Sequence, residues 1–405
     1  VVDRFAPCGA PDRRRADAAR LAPLAFSFSN CSWIVSRGAC TVPARESLRW
    51  HPAGTAAMIP SSMQPRILIV RLSHIGDCVL TMPLLSALRQ ALPQAHISWA
   101  VESPSHHLLE GHRALDQVIR VPKGWLKRPS TILAMRRELR AGRFDLIFDP
   151  QALTKSAMLA WIAGAKRRIG PAAPVAKELA PWLYTEAVRT EEEHIVPRSL
   201  ELLRVLGVRR PSVDFHVPLR AAAIDVMSQF VHRHRLADGF VVINPGASWP
   251  SKRWEIDRFA TVASRLHAER QLRSVIVWAG DEERRAAERV VELSRSAALL
   301  APATTLPELA ALASLGSLFI SSDSGPLHLA AAVGSPVVGL YGATRPEACG
   351  AWGPAARNLQ VAYHSGSARE RRSADNTAMR SITVEQVVEA SEELLARSLS
   401  RCGAA

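Results

Sequence analysis

Short apolar runs rich in β-branched residues alternate with amphipathic stretches along most of this chain, and that alternation admits few folds. The runs 67–70, 95–101, 117–121 and 145–149 read as strands, and 130–141 and 155–163 read as helices with one apolar face. Such a pattern predicts a parallel sheet whose crossover helices cover both faces. A helix over 199–206 ends at Gly207. A second series follows, with strands over 240–244, 274–279, 317–321 and 336–341. Its helices are expected over 256–268, 282–294, 306–315 and 326–333. The fold class is therefore α/β, with two Rossmann-like domains whose parallel sheets face each other across a cleft.

The expected boundaries are a leader over 1–62, a first domain over 63–220, a second over 221–382, and a final helix over 383–398 packing back on the first domain. The leader is rich in Arg, Ala, Pro and Ser and lacks hydrophobic periodicity. It reads as disordered, or as an artefact of an early start with Met58 or Met63 as the beginning. The segment 365–377 is polar and reads as mobile. A formal charge of +14 points to an anionic partner. No apolar run is long enough to span a bilayer, so membrane contact is expected to be peripheral. The six cysteines show no metal-like or paired spacing, which fits a reducing compartment. Cations lie beside loops rather than among stacking aromatics, which argues against nucleic acid as the partner.

Neither half carries a G-x-G-x-x-G fingerprint or a P-loop, which disfavours nicotinamide dehydrogenases and nucleoside triphosphatases. Chemistry is expected instead at the strand ends. After the first strand, Arg71 to Gly76 forms a turn and Asp77 stands where a helix begins. Asp77 is either a helix cap or a catalytic carboxylate. Pro83 is expected to kink that helix or delay its regular part. In the second half the loop 244–254, NPGASWPSKRW, offers Gly246 for the turn, hydroxyls at Ser248 and Ser251, and cations at Lys252 and Arg253. A departing diphosphate needs such a cation. Glu282 and Glu283 suit either ribose hydroxyls or the first turn of a helix. The loop 321–328, SSDSGPLH, is the most specific. Gly325 and Pro326 open a helix whose free N–H groups make a phosphate site, with Ser324, Asp323 and His328 beside it. Asp145 and Asp149 lie four apart in a strand and read as strand-end residues, and no metal is predicted.

Five segments in order carry a family resemblance: RLSHIGDCVLTMPLLSALRQALP, FDLIFDPQALTKSAMLA, EEHIVPRSLELLRVLG, NPGASWPSKRWEIDRFA and SSDSGPLHLAAAVGSPVVGLYGATRP. Over about residues 66–395 the chain resembles glycosyltransferase family 9, the ADP-heptose:lipopolysaccharide heptosyltransferases, which have the GT-B architecture. The resemblance implies an inverting, metal-independent transfer of L-glycero-D-manno-heptose from ADP-heptose to the Kdo region of the lipopolysaccharide inner core. No cofactor is implied, since ADP-heptose is a substrate. It implies Asp77 as general base and Lys252 at the departing diphosphate. Gly246, Ser248, Glu282 or Glu283, Asp323, Ser324, Gly325 and His328 become the donor site. Ser73, Lys127, Arg128, Lys155 and His194 become acceptor contacts, with the basic stretch 123–140 meeting Kdo-lipid A. The implied place is the cytoplasmic face of an anionic inner membrane.

The DPQALTKSA segment looks like the branch that adds the first heptose. Ala247-Ser248 departs from that branch's Thr-Thr pair and looks more like the branch acting on a later core sugar. A sugar-nucleotide epimerase on a similar two-domain scaffold is the rival from another enzyme class.

Overall fold

The computed structural model describes residues 64–402, and the leader expected over 1–62 lies outside them. One sheet holds β1 (Arg66–Val70), β2 (His96–Val101), β3 (Gln117–Arg120), β4 (Leu146–Phe148), β5 (Arg167–Pro171) and β6 (Glu186–Val188). The other holds β7 (Phe240–Asn244), β8 (Arg273–Ile276), β9 (Ala298–Leu300), β10 (Leu318–Ser322), β11 (Val337–Leu340) and β12 (Ala356–Leu359). The orders are β3-β2-β1-β4-β5-β6 and β12-β11-β10-β7-β8-β9, so each half repeats one doubly wound topology. All pairings are parallel, with Ile67 opposite Ile97 on one side and Leu146 on the other. The chain reverses direction across each sheet between β1 and β4, and between β7 and β10. Loops leaving those four strands border the crevices where such sheets hold ligands.

Four strands lie beyond the pattern read above: β5, β6, β9 and β12. Three of them are sheet edges, and β6 and β12 are largely half-buried. Pairing with a neighbour, rather than an apolar run of their own, makes them strands.

The main helices are α1 (Ile75–Ala91), α2 (Pro129–Ala141), α3 (Thr154–Ala163), α4 (Ala180–Leu183), α5 (Ile195–Glu201), α6 (Ala221–Arg233), α7 (Ile256–Arg270), α8 (Gly280–Ser294), α9 (Leu306–Leu315), α10 (Gly325–Ala332), α11 (Ala368–Ser373) and α12 (Val384–Cys402). Helix α1 runs unbroken across Pro83, contrary to the expected delay. It buries twelve of its residues. Each large apolar side chain so buried contributes roughly 1.5–3 kcal/mol, which together outweighs the ~3 kcal/mol cost of an interior proline.

Helix α1 packs against α5 and α10, and the largest apolar cluster runs from Ile67 and Val79 through Leu327 to Phe319. The two sheets therefore share a core. Among the described residues, helix α12 packs on the second half rather than the first. Its Val387, Val388, Leu394 and Leu395 join Val241, Ile243 and Phe259, because its apolar stripe completes the face of the second sheet beside α7. The polar segment 365–377 contains α11, capped reciprocally by Ser367 and Glu370.

The two halves meet most closely at helix N-termini. A Cβ built on Gly76 would lie 2.5 Å from His328 Cδ2, and one on Gly325 would lie 2.8 Å from Ile75. Only residues without a side chain fit there. Gly76→Ala is expected to cost about 1–3 kcal/mol by overpacking, read as a lower urea midpoint for the full chain. An unchanged midpoint would mean that the two helix ends do not touch in solution.

Candidate active site

Asp77 is the third residue of α1, and His74 is its cap. The His74 backbone N–H donates to Asp77 Oδ2 at 3.4 Å, and the Arg71 guanidinium pairs with the same oxygen at 2.8 Å. Oδ1 accepts no hydrogen bond among the described residues. Burial pushes the Asp77 carboxyl upward, but Arg71 and His74 outweigh it and hold the group well below the usual carboxylate range. Arg71 is itself buried and donates to the Pro150 carbonyl at 3.2 Å, which ties the loop after β1 to the loop after β4. Arg198 on α5 adds a second guanidinium, its own pKa lowered by burial and by Arg71.

From the other half, Asp323 ends the β10 loop in a buried position. Lys252 Nζ pairs with its Oδ2 at 2.5 Å, Thr344 Oγ1 donates to the same oxygen, and His328 Nε2 bonds Oδ1 at 3.1 Å. Burial acts to raise the Asp323 carboxyl, yet His328 and Lys252 bring it far below its ordinary value. Lys252 is not a solvated loop lysine, since its side chain is only 13% exposed. It ends a short 3-10 turn, lies 4.5 Å from the Trp249 ring centre, and is held in place where Ser251 Oγ donates to the Arg371 carbonyl of α11. His328, bonded to Asp323, is the ring against which Gly76 packs. The base candidate and the lysine thus belong to one contiguous cluster drawn from both halves.

Beside that cluster a cavity of about 370 Å³ opens between the halves. The first half lines it with Ser73, His74, Glu102 and Lys123, and the second with Asn244, Gly246, Ser248, Trp278, Glu283, Ser324 and Gly325. Asn244 Nδ2 donates to the Gly246 carbonyl at 3.2 Å, to Ser321 Oγ at 3.0 Å and to Ser324 Oγ at 3.1 Å, locking the β7 and β10 loops together. The two glutamates part company here. Glu283 packs under Gly246, where a Cβ would come within 2.4 Å of its carboxyl carbon, and burial raises its pKa. Glu282 is 70% exposed and paired with Arg253 at 2.6 Å.

Among the expected acceptor contacts, Lys155 Nζ donates to Ser73 Oγ at 2.9 Å and lies 3.6 Å from Glu102. Lys127 and Arg128 are exposed and do not line the cavity, although Lys123 of the same segment does. His194 has no ring nitrogen left for an acceptor. Its Nδ1 accepts from the Val196 N–H at 3.1 Å, and its Nε2 donates to the Gly350 carbonyl at 2.9 Å, which makes it a brace between the halves. Asp145 accepts from the Arg66 N–H. Asp149 accepts from the Gln151 and Ala152 N–H groups and from Ser156 and Tyr184, closing the turn before α3; burial nevertheless raises it to about 6.

Sequence reading passed over Arg71 and Asn244, each the polar residue at the carboxyl end of an apolar strand. Position alone was the available signal for both. Thr344 and Arg198 carry no local signal at all.

The sequence profile of Glycosyltransferase family 9 (heptosyltransferase) matches residues 132–378, more than half of the chain. The chain belongs to glycosyltransferase family 9. Lipopolysaccharide heptosyltransferase 1 of Salmonella typhimurium is 28% identical over 298 residues, covering 71% of this chain and 92% of that protein. Lipopolysaccharide heptosyltransferase 3 of Escherichia coli K12 is 27% identical over 335 residues, covering 79% and 95%. Among solved structures, a family 9 glycosyl transferase from Veillonella parvula matches with a TM-score of 0.70 and 26% identity, over 83% of this chain and 99% of that one. The E. coli heptosyltransferase WaaC with ADP-2-deoxy-2-fluoro heptose matches with a TM-score of 0.65 and 26% identity, over 81% and 99%. This family 9 member is an enzyme of the GT-B architecture, a glycosyltransferase rather than an epimerase.

The charge on Asp77 depends on Arg71. In Arg71→Met burial remains while the countercharge is gone, so the Asp77 pKa rises. If Asp77 is the base, activity is lost as pH falls through that pKa. The acid limb of the kcat/KM profile should therefore move up by more than about one unit, whereas Arg71→Lys should leave it low. A limb that does not move in Arg71→Met would separate Asp77 from the rate.

Proposed function

We propose that the chain transfers L-glycero-D-manno-heptose from ADP-heptose to the Kdo region of the lipopolysaccharide inner core, by a single inverting displacement without a metal. One observation carries this reading. Asp77, with one oxygen free of hydrogen bonds, belongs to the same cluster as Lys252, Asp323 and His328 from the opposite half. That is one base and one leaving-group cation, as direct displacement requires.

The nucleotide occupies the 370 Å³ cavity, a size within the range of small-molecule sites. Trp278, Leu306 and Leu309 give it an apolar wall for adenine, and half-buried Glu283 accepts from ribose. Ser324, Gly325 and the first N–H groups of α10 hold the diphosphate, favoured by the helix dipole. Lys252 neutralises the charge that develops on the leaving ADP, exchanging part of its bond to Asp323 for the phosphate. Ser73 and Lys155 orient the acceptor carboxylate from the first half.

The acceptor hydroxyl donates to Asp77 Oδ1. A carboxylate held so far below its ordinary pKa is a weak base. Proton transfer is therefore late, after the forming C–O bond has acidified the hydroxyl. The electron pair of the breaking bond goes to ADP, and the proton goes to Asp77.

The relatives that support this reading carry the names heptosyltransferase 1 and heptosyltransferase 3, so a later core sugar is the second candidate acceptor. Buried Ala247 and exposed Ser248 in the donor loop favour neither.

Purified chain should release ADP from ADP-heptose only with Kdo-lipid A, giving one added heptose by mass, with or without a chelator. Modification only of an acceptor that already carries heptose would move the assignment to the later step. Asp77→Asn should lower kcat by about 10²–10⁴ with ADP-heptose binding retained. Lys252→Ala should lower it by about 10²–10³.

A further inference from the structure

The short helix His106–Leu109 follows β2 and packs on α9 of the second half. It sets His106 and Glu110 one turn apart on the same face, with His107 beside them. His107 Nδ1 lies 3.5 Å from Glu110 Oε2, and His106 Nε2 lies 3.9 Å from Glu110 Oε1. Among the described residues this is the one group of three His, Cys, Asp or Glu side chains whose donor atoms all lie within 4.8 Å of one another.

His106 is the member that points to a ligand. It is only 5% exposed, and its Nδ1 has no hydrogen-bond partner among the described residues. Its Nε2 stands too far from Glu110 for a hydrogen bond. A buried imidazole with neither nitrogen satisfied is costly, and packing alone would be served better by an apolar side chain.

We propose that His106, His107 and Glu110 form a binding site for one divalent cation of borderline softness, such as Zn²⁺ or Co²⁺, with water completing the coordination. Two imidazoles and a carboxylate are a donor set that such ions take. Mg²⁺ and Ca²⁺, which take oxygen ligands, fit poorly. Tetrahedral zinc with donors at about 2.0–2.1 Å holds them about 3.4 Å apart. His107 and Glu110 already have that spacing. Exposed His107 and half-buried Glu110 then need only turn toward the buried His106 ring.

Two arginines compete with the cation for Glu110. Arg120 Nη2 lies 2.7 Å from Oε1, and Arg220 Nη2 lies 3.2 Å from Oε2. The arginine side chains are 67% and 40% exposed, so both pairs are weak and can be exchanged. Arg220 also donates to the His107 and Glu110 carbonyl oxygens at 3.1 and 3.2 Å, so it stays attached at the start of α6 when it yields the carboxylate. None of the three ligands lines the nucleotide cavity. The ion therefore stands apart from the transfer proposed above, and acts on stability by binding only the folded chain.

The test is titration of the EDTA-treated full chain with Zn²⁺ by calorimetry and with Co²⁺ by visible absorption. The parent should bind one equivalent that His107→Ala or Glu110→Gln weakens about tenfold or more, since even an outer partner of a metal ligand is worth about 10–100-fold. The cobalt lost in those variants should show no thiolate charge-transfer band. Arg120→Gln removes a competing charge from Glu110 and should tighten binding. Zinc should raise the unfolding temperature of the parent but not of His107→Ala, and the two should unfold alike in EDTA and transfer sugar at the same rate. Variants that bind as tightly as the parent, a thiolate band on all the bound cobalt, or looser binding in Arg120→Gln would each overturn the inference.

Discussion

Two helix N-termini, one from each half, press against each other with no room for a β-carbon at Gly76 or Gly325. Both carry the positive end of a helix dipole, so their approach is unfavourable unless negative charge lies nearby. Asp77 in the first turn of α1 and Asp323 just before α10 supply it. Half-buried Asp77 and buried Asp323 each draw a cation, which brings Arg71 and Lys252 to the same place. The close contact thus dictates a cluster of opposed charges at the seam between the halves, which is where a glycosyl transfer needs them.

Both carboxylates of that cluster are answered within the chain. Lys252 answers Asp323, and Arg71 answers Asp77. A dianionic diphosphate entering beside Lys252 displaces part of that balance, and Asp323 keeps His328 and Thr344 as partners when it does. Buried ion pairs contribute little net stability because desolvation offsets the attraction. Their use here is as a store of oriented charge that substrate can redirect. Asn244 does the neutral counterpart of this work by fixing the two donor loops through three hydrogen bonds.

Much of the site is legible in the chain because strand-ending loops announce themselves. The turn before Asp77, the NPGASWPSKRW loop and the SSDSGPLH loop each follow an apolar run, and all three flank the cavity or the charge cluster. Residues that act at a distance in sequence are not legible. Arg71 reaches Pro150, His194 reaches Gly350, and Thr344 reaches Asp323. Spacing cannot encode such contacts, so His194 reads as an acceptor ligand when it is a brace. Edge strands such as β6 and β12 fail for a related reason, since their order comes from a neighbour.

Sequence alone determined the α/β class, the two repeated halves and the residue types available at each strand end, because periodicity and turn chemistry are local. Tertiary structure decided which end of which strand faces which. It put Glu283 rather than Glu282 into the cavity, turned α12 onto the second sheet, and set Gly76 against His328. Those outcomes depend on packing between elements far apart in the chain, where shape and charge are settled only once both surfaces are present.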